Sequence, residues 1–231
     1  MVGYLEESEL SDISANVDVV APSGDKVGAL VGDVYSSTVT NSSASGSATG
    51  ADIVGGLIGL ASGSASVIAN SFAAGNVTAN AQAGGLIGMA TTAPAAVTES
   101  FWNSTANPSL SGGTGVAKTQ TQLSDIATFT AANWAIQQGA PATGGTVWGT
   151  CVPTAPSVNS GYPFLQWNRT SNPCPTVPPP PVPPKPSQQL RNDRADEECH
   201  SEDWIHTLDE ARLRDERWPT HRCAGKCHVA R

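Results

Sequence analysis

Val54-Gly55-Gly56-Leu57-Ile58-Gly59 returns at an offset of 29 as Ala83-Gly84-Gly85-Leu86-Ile87-Gly88. A looser copy precedes both at Val27-Gly28-Ala29-Leu30-Val31-Gly32, and Val2-Gly3-Tyr4-Leu5 reads as a fourth. On that alignment the leucines stand at 5, 30, 57 and 86, with uneven spacings of 25, 27 and 29. A second box keeps better time. Asn70-Ser71-Phe72-Ala73-Ala74-Gly75 aligns with Asn41-Ser42-Ser43-Ala44-Ser45-Gly46, with Glu99-Ser100-Phe101, and with a first copy starting at Asp12. Its starts, 12, 41, 70 and 99, advance by a constant 29. Between the boxes, Ala21-Pro22-Ser23-Gly24-Asp25-Lys26 reads as a loop insertion.

A repeat of this length is the signature of a stacked architecture. Its Gly, Ala, Ser, Thr and Val content disfavours helix, and no apolar stripe of period 3.6 runs through it. Short pieces such as Val67-Ile68-Ala69 and Asn76-Val77-Thr78 fit strands separated by Gly or Asn turns, with Asn41 and Asn70 at the turns. One unit cannot bury its own inner face, whereas stacked copies share a thin common core. The expected fold is therefore all-β: a short β-solenoid of about four repeats over residues 1–100, the first truncated. Leu30, Leu57 and Leu86 form its inward ladder, with Val31, Ile58 and Ile87 on the opposite face or at a bend. Gly28, Gly55, Gly56, Gly84 and Gly85 serve either positive φ or close approach of backbones.

Residues 101–170 hold eight of the thirteen aromatic residues. A stack of coils ends in an open apolar face with unpaired strand edges, so this segment is expected to cap it. Thr119 with Gln122 three positions on reads as a capping box for a short helix from Thr119 to Ala127. The other reading makes Trp102, Trp134, Trp148, Tyr162 and Trp167 a glycan-facing platform. Against it, the nearby polar partners are only Asn133, Asn159, Gln166, Asn168 and Arg169.

Gly-Gly-Leu-Ile-Gly trailed by Asn-Ser-Phe-Ala-x-Gly-x-Val resembles the GLUG repeat of bacterial surface and secreted proteins. These include filamentous-haemagglutinin-like adhesins and the non-catalytic part of IgA-cleaving metalloproteases. The stretch from Ser100-Phe101-Trp102-Asn103 through Thr119-Gln120-Thr121-Gln122-Leu123 to Gly161-Tyr162-Pro163-Phe164-Leu165-Gln166-Trp167 resembles the segment C-terminal to the last repeat in such proteins. The resemblance covers roughly residues 1–168 and implies architecture rather than activity.

Composition narrows the function. A net charge of -8 excludes a general nucleic-acid binder, which carries a basic footprint. No apolar run approaches the ~20 residues of a spanning helix. Four His and two Met leave little for a haem or copper site, and no cofactor is expected. Residues 1–175 carry three basic and ten acidic residues, and the last 45 carry eight and ten. Cys151 and Cys174 bracket the last aromatic motif, either as a disulfide in an oxidising compartment or as two thiols.

Nine prolines in the fourteen positions from Pro173 to Pro186 mark an extended linker, placed at 171–187. The tail at 188–231 changes character entirely and reads as disordered, as a short helix, or as translation out of the preceding frame. Its Cys199, His200, Cys223 and Cys227 are of zinc-ligand type. The second ligand pair, however, is an adjacent Cys-His, unlike the spaced pairs of known fingers.

These readings converge on a non-enzymatic structural or adhesive module, extracellular or on a bacterial surface and forming the C-terminal piece of a larger adhesin. Its expected partners are host or neighbouring-cell glycans or proteins, with an outer-membrane secretion pore reached through an upstream part. The alternatives are a non-catalytic spacer of a large secreted protease and a carbohydrate-active β-helix. The latter needs clustered carboxylates or a cationic base, whereas the repeats hold one Lys, no Arg and no His. Thr38-Val39-Thr40 suggests ice binding, but the other coils carry no matching Thr-x-Thr.

Overall fold

Each coil is five short strands joined by tight corners. In this computed structural model, which describes residues 1–63, 65–91, 96–110, 114–139, 146–151, 158–168 and 174, the first coil comprises β1 (Val2–Glu6), β2 (Glu9–Ser11), β3 (Ser14–Ala15), β4 (Val19–Ala21) and β5 (Lys26–Gly28). The second repeats them as β6 (Val31–Tyr35), β7 (Thr38–Thr40), β8 (Ser43–Ala44), β9 (Ala48–Gly50) and β10 (Ile53–Gly55). The third is β11 (Ile58–Ser62), β12 (Val67–Ala69), β13 (Phe72–Ala73), β14 (Val77–Ala79) and β15 (Gln82–Gly84). A fourth is built only as far as β16 (Ile87–Ala90), β17 (Ala96–Thr98) and β18 (Phe101–Asn103). Like strands pair in parallel from coil to coil, so five sheets wrap one core in a β-solenoid of about three turns.

The register explains the two clocks in the sequence. Glu9 pairs with Thr38 and Thr38 with Val67; Ser14 pairs with Ser43 and Ser43 with Phe72: each step is 29. Val31 pairs with Ile58, an offset of only 27. The first coil spends extra residues at Pro22–Asp25, between β4 and β5, where the second has only Ala51 and Asp52. The third spends its extra residues after β11 instead. The corner that holds the insertion moves, and the total returns to 29.

The register also corrects the reading of the N-terminus. Val2 pairs with Val31, not with the row of Val27, so Val2-Gly3 matches Val31-Gly32, Ile58-Gly59 and Ile87-Gly88. Leu5 then stacks in the column of Val34 and Ala61, not below Leu30. The first coil has all five strands, and the incomplete coil is the last.

Leu57 lies at the corner between β10 and β11, and Ile58 opens β11; both are fully buried, as are Leu86 and Ile87. A sharp bend lets two consecutive apolar residues face one core. Full burial of each such side chain contributes roughly 1.5–3 kcal/mol. The glycines make that bend possible by close approach, since none of Gly28, Gly55, Gly56, Gly84 and Gly85 has positive φ. A Cβ on Gly55 would strike the carbonyl oxygen of Ile58, and one on Gly84 that of Ile87. Gly85 is required for another reason: the Trp102 indole lies on it.

Positive φ is found instead at the other box, as it is at Glu7 and Ser36. Asp12, Asn41, Asn70 and Glu99 all adopt it, at 57, 47, 48 and 48°, and Asn and Asp are among the side chains that tolerate this region best. The serine after each of the last three repairs the corner. Ser42, Ser71 and Ser100 are buried; each hydroxyl donates to the carbonyl two positions back, at 2.8 Å. Each also accepts from the coil before, from the N–H of Ile13, Ser42 and Ser71 at 3.4, 3.1 and 3.2 Å. These serines supply partners that buried backbone donors require.

The far end is closed by specific groups. Trp102 continues the column Ala15, Ala44, Ala73 and fills the last coil. β19 (Val116–Lys118) pairs with β18, and Asn107 Oδ1 accepts from the Val77 N–H at 2.8 Å where a fourth coil would have supplied a carbonyl. Among the described residues, every first-coil strand is an edge.

The chain divides into Met1–Pro178 and Pro179–Arg231. The second unit, the rest of the linker from 175 onward, and Cys199, His200, Cys223 and Cys227 with it, lie outside the described residues.

Candidate functional site

Beyond the last coil the chain turns back along the outside of the solenoid. The predicted helix is two: α1 (Gln120–Leu123), with the Thr119–Gln122 capping box, and α2 (Ile126–Thr130), capped by Asp125. They break because Asp125 takes an extended conformation to accept the Ala127 N–H. Leu123 and Phe129 face inward and meet Phe72 and Phe101, the outward residues of β13 and β18. Next come β20 (Ile136–Gln138), β21 (Trp148–Thr150) and β22 (Phe164–Leu165), a small sheet that adds Trp148 and Leu165 to the cluster. Phe101 stacks on Trp134 at 5.8 Å, and Phe72 lies 5.8 Å from Trp148 and 6.0 Å from Tyr162. The aromatic segment therefore closes the stack through Trp102 and also buttresses the flank, with its own core beside that of the solenoid.

This placement separates the candidate aromatics. Trp102, Trp134, Trp148 and Tyr162 are buried, so no ligand reaches their faces. Asn159 and Gln166 are likewise committed, donating to the carbonyls of Pro163 and of Gly139 and Trp148. Trp167 alone of the five is open, at 65% exposure. Its indole nitrogen donates to the backbone oxygen of Asp12 at 2.9 Å, which fixes the ring against the first coil.

Asp12, Thr146, Val147 and Trp167 line a shallow recess of about 280 Å³. Among the described residues, five buried side-chain polar atoms lack a hydrogen-bond partner; two of them, Asp12 Oδ1 and Thr146 Oγ1, belong to residues that line this recess but are themselves withdrawn from its surface. A buried polar atom left without a partner costs about 1–3 kcal/mol. Sequence reasoning reaches Trp167 but neither Asp12 nor Thr146. The available signal is at the corner position, where the second and third coils carry Asn41 and Asn70 and the first carries Asp12.

Elsewhere among the described residues the chemistry is sparse. Lys26 Nζ lies 2.7 Å from Asp33 Oδ2. Burial pushes the Tyr162 phenol above its ordinary range, opposed by the hydrogen bond from Asn103. Cys151 and Cys174 are joined by a disulfide, Cα to Cα 5.2 Å. Among the described residues no three His, Cys, Asp or Glu side chains gather as a metal site would require, and no helix is long and apolar enough to cross a membrane. Val39 points inward between half-buried Thr38 and Thr40, but their register partners are Glu9 with Ser11 and Val67 with Ala69, so no flat threonine array forms.

Comparison of this chain with family models, with curated proteins and with solved structures finds no match.

Proposed function

We propose that this chain is a non-enzymatic structural and adhesive module, displayed on a bacterial surface or secreted, whose solenoid holds a binding flank in fixed geometry. The observation that carries the reading is the flank. A separate aromatic core is packed along the coils, and one aromatic of the same segment, Trp167, stays open beside a shallow recess. The resemblance of its boxes to GLUG repeats of surface proteins supports the same reading. So does the Cys151–Cys174 disulfide, which persists most readily outside the cytoplasm. Adhesion by such a module gains strength through repetition of weak contacts.

The test is direct. The full chain, immobilised on beads at high density, is offered to host cells and to neighbouring bacteria, with beads bearing an unrelated β-solenoid as control. Retention above the control at physiological salt supports adhesion. Equal retention on both bead types refutes it.

A further inference from the structure

We infer that the outer face of β1 and β6 carries a subsite for a trimethylammonium group, formed by the rings of Tyr4 and Tyr35 beside the Glu6 carboxylate. The inference goes beyond the adhesive reading and does not depend on it. Among the described residues three aromatic side chains stay open, and two of them stand here: Tyr4 is 53% exposed and Tyr35 41%. Side chains alternate across a strand. Leu5 and Val34 turn into the solenoid core, so Tyr4 with Glu6, and Asp33 with Tyr35, turn outward from the same sheet. The register puts Tyr4 beside Asp33 and Glu6 beside Tyr35. The two tyrosines are therefore diagonal neighbours on one face, with Cα atoms about 8 Å apart at ordinary strand spacing. That spacing lets a cation sit within about 6 Å of both ring centroids.

The charges around the rings select the ligand. The Tyr4 phenol is held above its ordinary pKa by partial loss of water, then by Glu6, Asp33 and Tyr35, with Lys26 opposing. All four groups thus lie within electrostatic reach of it. Lys26 is the cation that would repel a ligand, but its ammonium is 2.7 Å from Asp33 Oδ2, and the pair is neutral as a unit. Glu6 is exposed and leaves the face with a net negative charge. Negative charge beside two π faces favours a cation. Its kind follows from hydrogen bonding. A guanidinium brings five N–H donors and a primary ammonium three, all of which need acceptors. On this face Asp33 is already engaged by Lys26, which leaves the Glu6 carboxylate to receive them. A trimethylammonium group has no N–H to satisfy, and its methyls carry a diffuse charge directly onto the rings.

The full chain is titrated with choline, with the uncharged alcohol in which carbon replaces its nitrogen, and with arginine methyl ester, read by saturation-transfer NMR. Choline should bind at least about fivefold more tightly than the alcohol, and more tightly than the arginine ester. Tyr4→Phe and Tyr35→Phe keep a ring and should stay within about twofold. Tyr4→Leu and Tyr35→Leu should each weaken choline about two- to fivefold, and the double Leu variant should abolish its binding. Glu6→Gln should weaken choline and leave the alcohol unchanged. Circular dichroism is the fold control, and Glu6→Gln carries the test where a Leu variant does not fold. Equal binding of choline and the alcohol, or tighter binding of the arginine ester, overturns the site. So does a folded double Leu variant that still binds, or a Glu6→Gln variant with unchanged affinity for choline. Vesicles of phosphatidylcholine, against vesicles of phosphatidylglycerol, separate the sources of the group. Cosedimentation with the former alone, lost in the double variant, assigns a lipid headgroup; choline binding without it assigns a free choline compound.

Discussion

The Trp167 indole nitrogen and the Asp12 carbonyl oxygen are 2.9 Å apart and separated by 155 residues of chain. The same contact recurs at the opposite end of the corner ladder, where Trp134 Nε1 donates to the Glu99 carbonyl at 2.8 Å. The aromatic segment is thus tied to the first coil and to the last, at equivalent corners of the repeat.

Loss of the Trp167 tie should be felt locally. Trp167→Phe removes one hydrogen bond, worth roughly 1 kcal/mol. Hydrogen exchange measured by mass spectrometry should show faster exchange for first-coil amides around Leu10 to Ala15, with those of β12 unchanged. A uniform change across both coils would show that the contact contributes to global stability alone.

The two glycine classes predict opposite outcomes. Gly55→Ala puts a Cβ onto the Ile58 carbonyl oxygen and should cost about 3 kcal/mol or more, since backbone cannot yield as a flexible side chain can. Gly3→Ala meets nothing within 4 Å, and Gly3 has no positive φ. It should be neutral or stabilise by about 0.4–1 kcal/mol through the unfolded chain. Urea unfolding of both variants decides this, and an equal loss in both refutes the close-approach account.

Ser71→Ala leaves the Ser42 N–H without its acceptor inside the structure. The expected loss is about 1–3 kcal/mol, far more than for a surface serine. Ser71→Thr keeps the hydroxyl and isolates the cost of an added methyl. Thermal unfolding of the pair measures the difference; an Ala variant as stable as the parent removes the serine ladder from the account of stability.

Tyr162 sets an alkaline limit. Burial raises its folded pKa above the unfolded value of about 10. The folded state therefore binds the proton more tightly, and the associated stability is complete below that value and lost as pH rises through the folded pKa. Denaturation midpoints should fall above pH ~10. In Tyr162→Phe this tyrosine's share of the fall disappears, at the expense of the hydrogen bond from Asn103 Nδ2, 3.0 Å from the phenol oxygen. Identical alkaline profiles for the two chains would count against this assignment.

The solenoid is legible because its register is written into the chain. Every pairing of β12 with β7 and of β13 with β8 advances by 29, so the Asn-Ser box cannot drift. The first copy misleads because the Gly-Gly-Leu-Ile-Gly box has an apolar–Gly pair on each side of its leucine. Val2-Gly3 fits either pair by composition, and only hydrogen bonding selects Val31-Gly32. The aromatic segment is readable as cover for the last coil, since Phe101-Trp102 stands directly after Glu99-Ser100, the last copy of the Asn-Ser box. Its course along the flank is not. Phe72 looks like any strand residue, and nothing local to Asp12 announces a tryptophan far down the chain.

A rod of stacked coils loaded along its axis ordinarily fails from an end, one rung peeling from the next. Here the first coil is tied at Asp12 to a second strand of material running alongside, anchored again at Glu99 by Trp134. Parting the first coil from the second then also requires breaking the Trp167 tie, which adds to the hydrogen bonds between coils. The flank segment thus couples the first coil to the last independently of the pairing between coils.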